Sequence, residues 1–255
     1  MVGQQPTSTV ESESSGGVTT IWLNRPDRRN AVTAGLVEDL LGALDAVATG
    51  RQPAGVVLLA GKGKAFCAGH DLKEPVPPGD SRPRLERLQE VTRRIRALRQ
   101  PVIAVVQGWA VGAGAEFALG CDLVLAAEDA AFRFPEVGLG LSVTGGASRL
   151  LPAIVGPLKA KELVLLGEPV DAAAAQRLGL VNTVLPADEL HAGARQRAQQ
   201  LAANPTAAAL AKRALDAGPE SSLDAALELE VTHALLTETS GEASLPTDPA
   251  VQGRS

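Results

Sequence analysis

The sequence predicts an α/β fold, and three observations carry that prediction. Strand-length apolar runs, Gly55-Val56-Val57-Leu58-Leu59-Ala60 and Pro101 to Val106 among them, alternate with stretches whose apolar residues recur every three or four positions. The runs are continuously apolar, as strands are when both faces of their sheet are covered. Two of them lead into loops of small residues, at 61–73 and 108–115, where a ligand can approach the backbone closely.

Taken in order, residues 1–17 are polar and rich in Ser, Thr and Gln, and read as a disordered or frayed tail. Val18 to Leu23 is a strand after the Gly16-Gly17 turn, followed by the basic loop Asn24 to Asn30. Thr33 is placed to cap a helix with Leu36, Val37, Leu40, Leu41, Leu44 and Val47 on one face. After the strand 55–60 and its loop, Glu74 to Ser81 carries Pro75, Pro77, Pro78 and Gly79 and reads as a mobile surface segment. A helix from about Arg82 to Arg99 turns Leu85, Leu88, Ile95 and Leu98 inward and its arginines toward solvent.

Beyond the strand 101–106 the expected order is loop, short helix from about Gly112, and strands at Leu123 to Ala126 and Ala131 to Phe134. Helices follow at Thr144 to Val155, Leu158 to Leu166 and Asp171 to Leu178, the last capped by Asp171 and ended by Gly179. Leu180 to Leu185 is a short strand, and from Ala187 the chain is helical with breaks near Pro205 and Gly218. The domain reading is a core at 18–195, a helical region at 196–244 and a flexible tail at 245–255.

Composition narrows the function. Aromatic residues make up 2% of the chain and Tyr is absent, which argues against base-stacking surfaces for nucleic acid. A net charge of −5 gives no general attraction for polyanions, so a phosphate must be met by a local cluster of cations. No apolar run of membrane-spanning or leader type is present, and a cytoplasmic location is the simplest expectation, with neither a membrane nor nucleic acid as partner. Cys67 and Cys121 lie in apolar segments without metal-ligand spacing, so reduced, buried thiols are expected and no metal.

The stretch Val111-Gly112-Ala113-Gly114-Ala115-Glu116-Phe117 organises the rest. A helix starting there points its unpaired N–H groups and positive dipole end at a ligand, with Glu116 in the first turn. A carboxylate beside anion-stabilising amides suits proton transfer, and equally suits ordinary dipole compensation. Glu136 lies on a loop at a strand end, where catalytic and merely solvated carboxylates both occur. Gly112-Ala113-Gly114 is followed by Phe117 where a dinucleotide site wants Gly or Ala, and Gly61 to Lys64 lacks the phosphate-loop spacing. Gly140-Leu141-Ser142-Val143-Thr144-Gly145 is one residue too long for a nucleophile elbow, and His191 and His233 read as exposed helix residues.

Three ordered motifs then point one way. Ala65-Phe66-Cys67-Ala68-Gly69-His70-Asp71-Leu72, Gly108 to Glu116, and Phe134-Pro135-Glu136-Val137-Gly138-Leu139-Gly140 together resemble the crotonase family, the enoyl-CoA hydratase/isomerase superfamily. Asn24-Arg25-Pro26 with Asn30-Ala31-Val32 resembles its N-terminal signature, Asn204 to Leu215 resembles a late helix, and the similarity runs from about Val18 to about Glu242. The resemblance implies strand-strand-helix turns wound into a spiral, with a helical C-terminal part that forms trimers, often paired into hexamers. It implies an acyl-CoA thioester as substrate, with no cofactor besides the CoA that the substrate carries.

Position by position, the resemblance gives the backbone N–H groups of His70 and Ala113 as an oxyanion hole, and Glu116 and Glu136 as the two glutamates of the hydratases. Glu116 is expected to activate water for attack on the β-carbon and Glu136 to protonate the α-carbon, with isomerisation by a single glutamate as the nearest alternative. Arg28, Arg29 and Lys73 are candidates for the CoA phosphates, or plain surface cations. Ala68, Asp71, Leu72 and Gly112 belong to the ligand loops, and Phe66 and Leu139 are candidates for the acyl lining, Phe66 equally for the core. The chain departs from the family in three places: Ala113 replaces the usual Gly, Leu141 to Gly146 replaces Pro-Gly-x-Gly-Gly, and 242–255 lacks an aromatic and basic closing segment.

Overall fold

The structure, a computed structural model, describes residues 8–75, 79, 81–240 and 242. Part of the stretch expected to be frayed is ordered: Val10–Ser15 (β1) pairs antiparallel with Val18–Leu23 (β2), Val10 opposite Leu23. All of β1 but Val10 is exposed, and its pairing is carried by the backbone and polar contacts such as Trp22 Nε1 to Glu13 and Ser14 to Thr19. An edge strand of this kind has no hydrophobic face to announce it. Residues 1–7 of the expected tail, and 245–255, lie outside the described residues, as do 76–78 and 80 of the segment expected to be mobile.

Parallel to β2 run Val56–Gly61 (β3) and Val102–Val106 (β4). The chain leaves this sheet as Trp109–Val111 (β5) and returns as Leu123–Ala127 (β6). It leaves again as Ala131–Arg133 (β7) and Val170–Asp171 (β8), and comes back as Thr183–Leu185 (β9). The outcome is a six-stranded sheet ordered β1-β2-β3-β4-β6-β9 and a three-stranded one ordered β5-β7-β8. Single bridges join Val32 to His70 and Cys67 to Ala110, so the smaller layer continues through the 65–70 loop. Each turn of chain thus places backbone in both layers, which is the spiral expected from the resemblance.

Alternation sorts the strand residues between two cores. Val57, Leu59, Val102, Ala104 and Val106 join one apolar cluster, and Val56, Leu58, Ala60, Ile103 and Val105 join the other. The first face is covered by Ala34–Ala48 (α1) and Ser81–Ala97 (α2); Leu36, Val37, Leu40, Leu41, Leu44 and Val47 of α1 are all buried, and Thr33 caps it by accepting from Leu36 N. Leu88, Ile95 and Leu98 are buried on the α2 side, whereas Leu85 is half-buried. Its arginines reach α1, Arg87 pairing with Glu38 and Arg94 with Asp45.

Ala113–Gly120 (α3) is buried along its whole length. Ala147–Val155 (α4), Pro157–Leu166 (α5) and Ala172–Arg177 (α6) follow, α6 capped by Asp171 accepting from Ala174 N. The strand expected over 180–185 begins only at Thr183, because Leu180 and Val181 still donate to Ala175 O at the end of α6. Leu190–Ala202 (α7) closes the second face with Leu190, Ala194 and Ala198, a four-residue spacing.

The boundary expected at 195/196 falls inside α7, a continuous helix that packs on β3, β4 and β2. The first compact unit ends at Ala203 and the second begins at Asn204. That second unit holds Pro205–Ala217 (α8) and Leu223–Thr239 (α9), with Ser222 capping α9 and the Glu242 carboxylate accepting from Thr206 N and Oγ1. His233, expected on an exposed helix face, is buried there. Among the described residues no helix is long and apolar enough to cross a membrane.

Asn30 holds the loops of the first unit together. Fully buried and left-handed at φ 55°, it donates Nδ2 to Lys62 O, Ala65 O and Phe66 O at 2.9–3.1 Å, while Oδ1 accepts from Arg25 N. Asn30→Ala strands buried carbonyls and puts a Cβ residue without a compensating amide in the left-handed region. The expected cost is about 2–4 kcal/mol, read as a lower denaturation midpoint with unchanged denaturant dependence.

Candidate active site

The site is built where main chain meets main chain. Cys67 N donates to Trp109 O and Val111 N to Cys67 O, which seats the 65–70 loop on β5 at the start of α3. Glycine is obligatory at the contacts: a Cβ on Gly114 would lie 2.4 Å from Cys67 O, and one on Gly69 2.7 Å from Val111 O and 3.9 Å from Ala113 N. On the other side of the loop Val32 N donates to Gly69 O and Asp71 N to Val32 O, so the peptide between them, which carries the His70 N–H, is gripped from both ends. The amides of His70 and Ala113 are thereby brought near one another, and neither has a backbone acceptor among the described residues. Ala113 is the first residue of α3, where an N–H has no intrahelical partner and the helix dipole is positive.

Two carboxyls share this place. Glu116 is 1% exposed and Glu136 8%. Glu116 Oε1 accepts from Thr144 N and Oε2 from Thr144 Oγ1, each at 2.6 Å. Gly112 leaves room for the other glutamate, since a Cβ there would stand 2.9 Å from Glu136 Oε1. Gly145 does the same for Glu116, whose Cβ lies 2.5 Å from the position a Gly145 Cβ would take. Burial raises the Glu116 pKa against the lowering effect of the Thr144 bonds, and the negative charge of Glu136 raises it further. Burial also raises that of Glu136, whose Oε2 has no hydrogen-bond partner among the described residues. Both therefore favour the neutral acid more than an ordinary glutamate does. The His70 pKa is lowered, mainly by burial and then by Arg84, both of which favour the neutral imidazole.

The remaining anticipated residues fall into two groups. Arg28, Arg29, Leu72, Lys73 and Leu139 are exposed, Ala68 is half-buried, and Gly112 is buried at the N-cap of α3. The Phe66 ring is fully buried in the main apolar cluster. Asp71 takes the Arg25 guanidinium at 3.1 Å and the Lys73 N–H at 3.2 Å, and so ties its loop to the 24–30 loop. Its pKa is lowered by the Lys73 N–H and by Arg25. Burial pushes the Cys67 thiol up to about 12, which makes it inert as a nucleophile.

Sequence reasoning missed Thr144 and Arg25 as partners of site residues. The unusual segment 141–146 was the available signal for Thr144, and the Asn24-Arg25-Pro26 signature for Arg25.

Two sheets wound into a spiral, with helices at the C-terminal end, define the crotonase fold. The family model described as enoyl-CoA hydratase/isomerase matches residues 13–245, and the chain belongs to that family. It is 38% identical over 217 residues to the 2,3-dehydroadipyl-CoA hydratase of Escherichia coli, covering 82% of each protein. To the short-chain-enoyl-CoA hydratase of Clostridium acetobutylicum it is 33% identical, covering 86% of this chain and 85% of that one. The crystal structure of enoyl-CoA hydratase from Bacillus anthracis superposes with a TM-score of 0.84 at 33% identity, over 89% of both chains. An enoyl-CoA hydratase from a Polaromonas species gives 0.85 at 32%, over 91% of this chain and 92% of that one.

The raised pKa of Glu136 sets a stability test. Below the ordinary glutamate value of 4.5 the group is neutral folded or unfolded; as pH rises through its higher folded pKa, ionisation costs the folded state more than the unfolded one. Glu136→Gln removes that cost. The variant is expected to match wild type in Tm at acid pH and to exceed it progressively as pH rises above the ordinary glutamate value, measured by thermal melts across the pH series.

Proposed function

We propose that the chain is an enoyl-CoA hydratase, adding water across the 2,3 double bond of a trans-2-enoyl-CoA thioester. The observation that carries this reading is the shared burial of Glu116 and Glu136 beside the N–H of Ala113, which has no backbone acceptor among the described residues. The amides of His70 and Ala113 receive the thioester oxygen and stabilise the enolate charge that develops there, an effect worth about 2.7–4 kcal/mol of barrier per donor. Glu116, oriented by Thr144, acts in its ionised form and takes a proton from the attacking water. Glu136, whose pKa burial raises, acts in its neutral form and delivers a proton to the α-carbon.

Isolated carboxylates in a dry cavity repel each other, which favours one charged and one neutral partner. The names of the relatives, hydratases of a dehydroadipyl-CoA and of short-chain enoyl-CoA, support the same reaction class. The exposed cations Arg28, Arg29 and Lys73 are assigned to the CoA phosphates, and CoA arrives with the substrate rather than as a cofactor. Assembly as a trimer, or a pair of trimers, is assigned to exposed apolar residues of α9: Leu223, Leu227, Val231 and Leu235, at four-residue spacing.

Loss of enoyl-thioester absorbance on a short 2-enoyl-CoA measures the reaction. Glu116→Gln and Glu136→Gln are each expected to lower kcat by about 10²–10⁴. Ala113→Pro deletes one amide hydrogen at a helix position that tolerates proline, and is expected to lower kcat about 10²–10³-fold while circular dichroism stays native. Severe loss in only one glutamate variant, with shift of a 3,4 double bond to the 2,3 position, would instead assign isomerisation. CoA-thioester binding without turnover by the wild type would make the chain a binding subunit.

A further inference from the structure

His70, whose amide serves the thioester oxygen, also borders a second space. Its side chain lines a cavity of about 240 Å³ between the first turn of α1, the 70–75 loop and the start of α2. The wall is mostly apolar, built from Val32, Val37, Pro75, Pro83 and Leu88. Drug-sized ligands fill about 300–1,000 Å³, so this cavity suits a short chain and not a nucleotide. A thioester carbonyl held at His70 has two arms, the sulfur with its CoA and the acyl chain. The CoA arm is drawn to the exposed cations Arg28, Arg29 and Lys73, and the carboxylates of Glu38 and Glu74 at this cavity repel phosphates. The cavity is left for the acyl arm.

Its charges are not all spoken for. Glu38 pairs with Arg87. The Glu74 carboxylate accepts from Ala34 N at the N-terminus of α1, where the helix dipole offsets its charge. Arg84 is the remaining cation of the lining, half-buried and close enough to His70 for its charge to lower that pKa. No carboxylate pairs with it among the described residues, and its Nε is buried there without a hydrogen-bond partner. Nη1 and Nη2 are likewise unpaired but not shut off, so the open edge of the guanidinium can take both oxygens of an incoming carboxylate. An apolar cavity ending in an unpaired cation matches a hydrocarbon chain that ends in an anion.

We propose that this cavity takes the far end of the acyl chain and that Arg84 binds a carboxylate there, so that the preferred substrate is a 2-enoyl-CoA whose chain ends in a second carboxylate. The inference rests on the hydratase reading for the seat of the thioester at His70, and deepens it by naming the substrate class.

Hydration rates on hex-2-enoyl-CoA and on its counterpart with a terminal carboxylate, hex-2-enedioyl-CoA, test it. Wild type is expected to show a kcat/KM about tenfold or more higher on the diacid thioester, the size of a bond between charged groups. Arg84→Met keeps the length of the side chain and its helix propensity, and brings the ratio to unity or below, with the loss mainly in KM. Arg84→Lys retains part of the preference, since the charge stays and the fork is lost. Arg84→Gln replaces the Met variant if circular dichroism shows that variant misfolded. A wild-type preference for the uncharged chain, or a ratio unchanged in the neutral variant, overturns the assignment. If wild type hydrates neither thioester, the hydratase reading fails, and calorimetric Kd values for the saturated hexanedioyl-CoA and hexanoyl-CoA decide the cavity by themselves. Tighter binding of the diacid that is lost with Arg84 supports it, and equal binding overturns it.

Discussion

Close approach of one stretch of backbone to another is the constraint on which the molecule depends. Carbonyl oxygens of Cys67 and Val111 sit where side chains of Gly114 and Gly69 would otherwise be, and Lys64 O stands 2.2 Å from where a Cβ of Gly108 would fall. No stretch of ordinary residues can come so near without a backbone shift, and each such shift would move the amide of His70 or of Ala113. Asn30 performs the same task by other means, spending one buried amide on carbonyls from the neighbouring loop. The two N–H groups are therefore not presented by a flexible loop. They are fixed by a lattice of main-chain bonds in which the side chains of the loop play little part.

What could be read from the sequence follows from how local each cause is. The buried face of α1 was legible residue by residue, because its period is written in six apolar positions spaced by three and four, and Thr33 supplies a cap within three residues of its target. The strands β3 and β4 were legible for the same reason, their continuous apolar character requiring cover on both faces. β1 was hidden because an exposed edge strand with Glu and Ser at most positions has no hydrophobic signature. The 195/196 boundary lies within α7, whose apolar stripe continues through residue 195 without interruption, so nothing local marks where packing on the sheet stops.

The candidate site divides similarly. Glu116 and Glu136 are separated by two strands, and no spacing rule brings them together; only the likeness of three motifs to a known family paired them before coordinates did. Asp71 takes the Arg25 guanidinium, a pairing across 46 positions that no local pattern contains. The Phe66 ring, balanced between acyl lining and core in the sequence, packs in the main apolar cluster. Thr144 stood in a segment marked as unusual without a reason; the reason is geometric, since only a hydroxyl there reaches Oε2 while its own N–H reaches Oε1.

The two sulfurs offer a practical opening. Cys67 and Cys121 are both buried, and burial keeps the thiol of Cys67 protonated at ordinary pH. Reagents that modify thiolates accordingly find no target at Cys67 in the folded chain. A cysteine introduced at Leu72, which is exposed two residues beyond His70, would carry a fluorophore for which Cys67 does not compete.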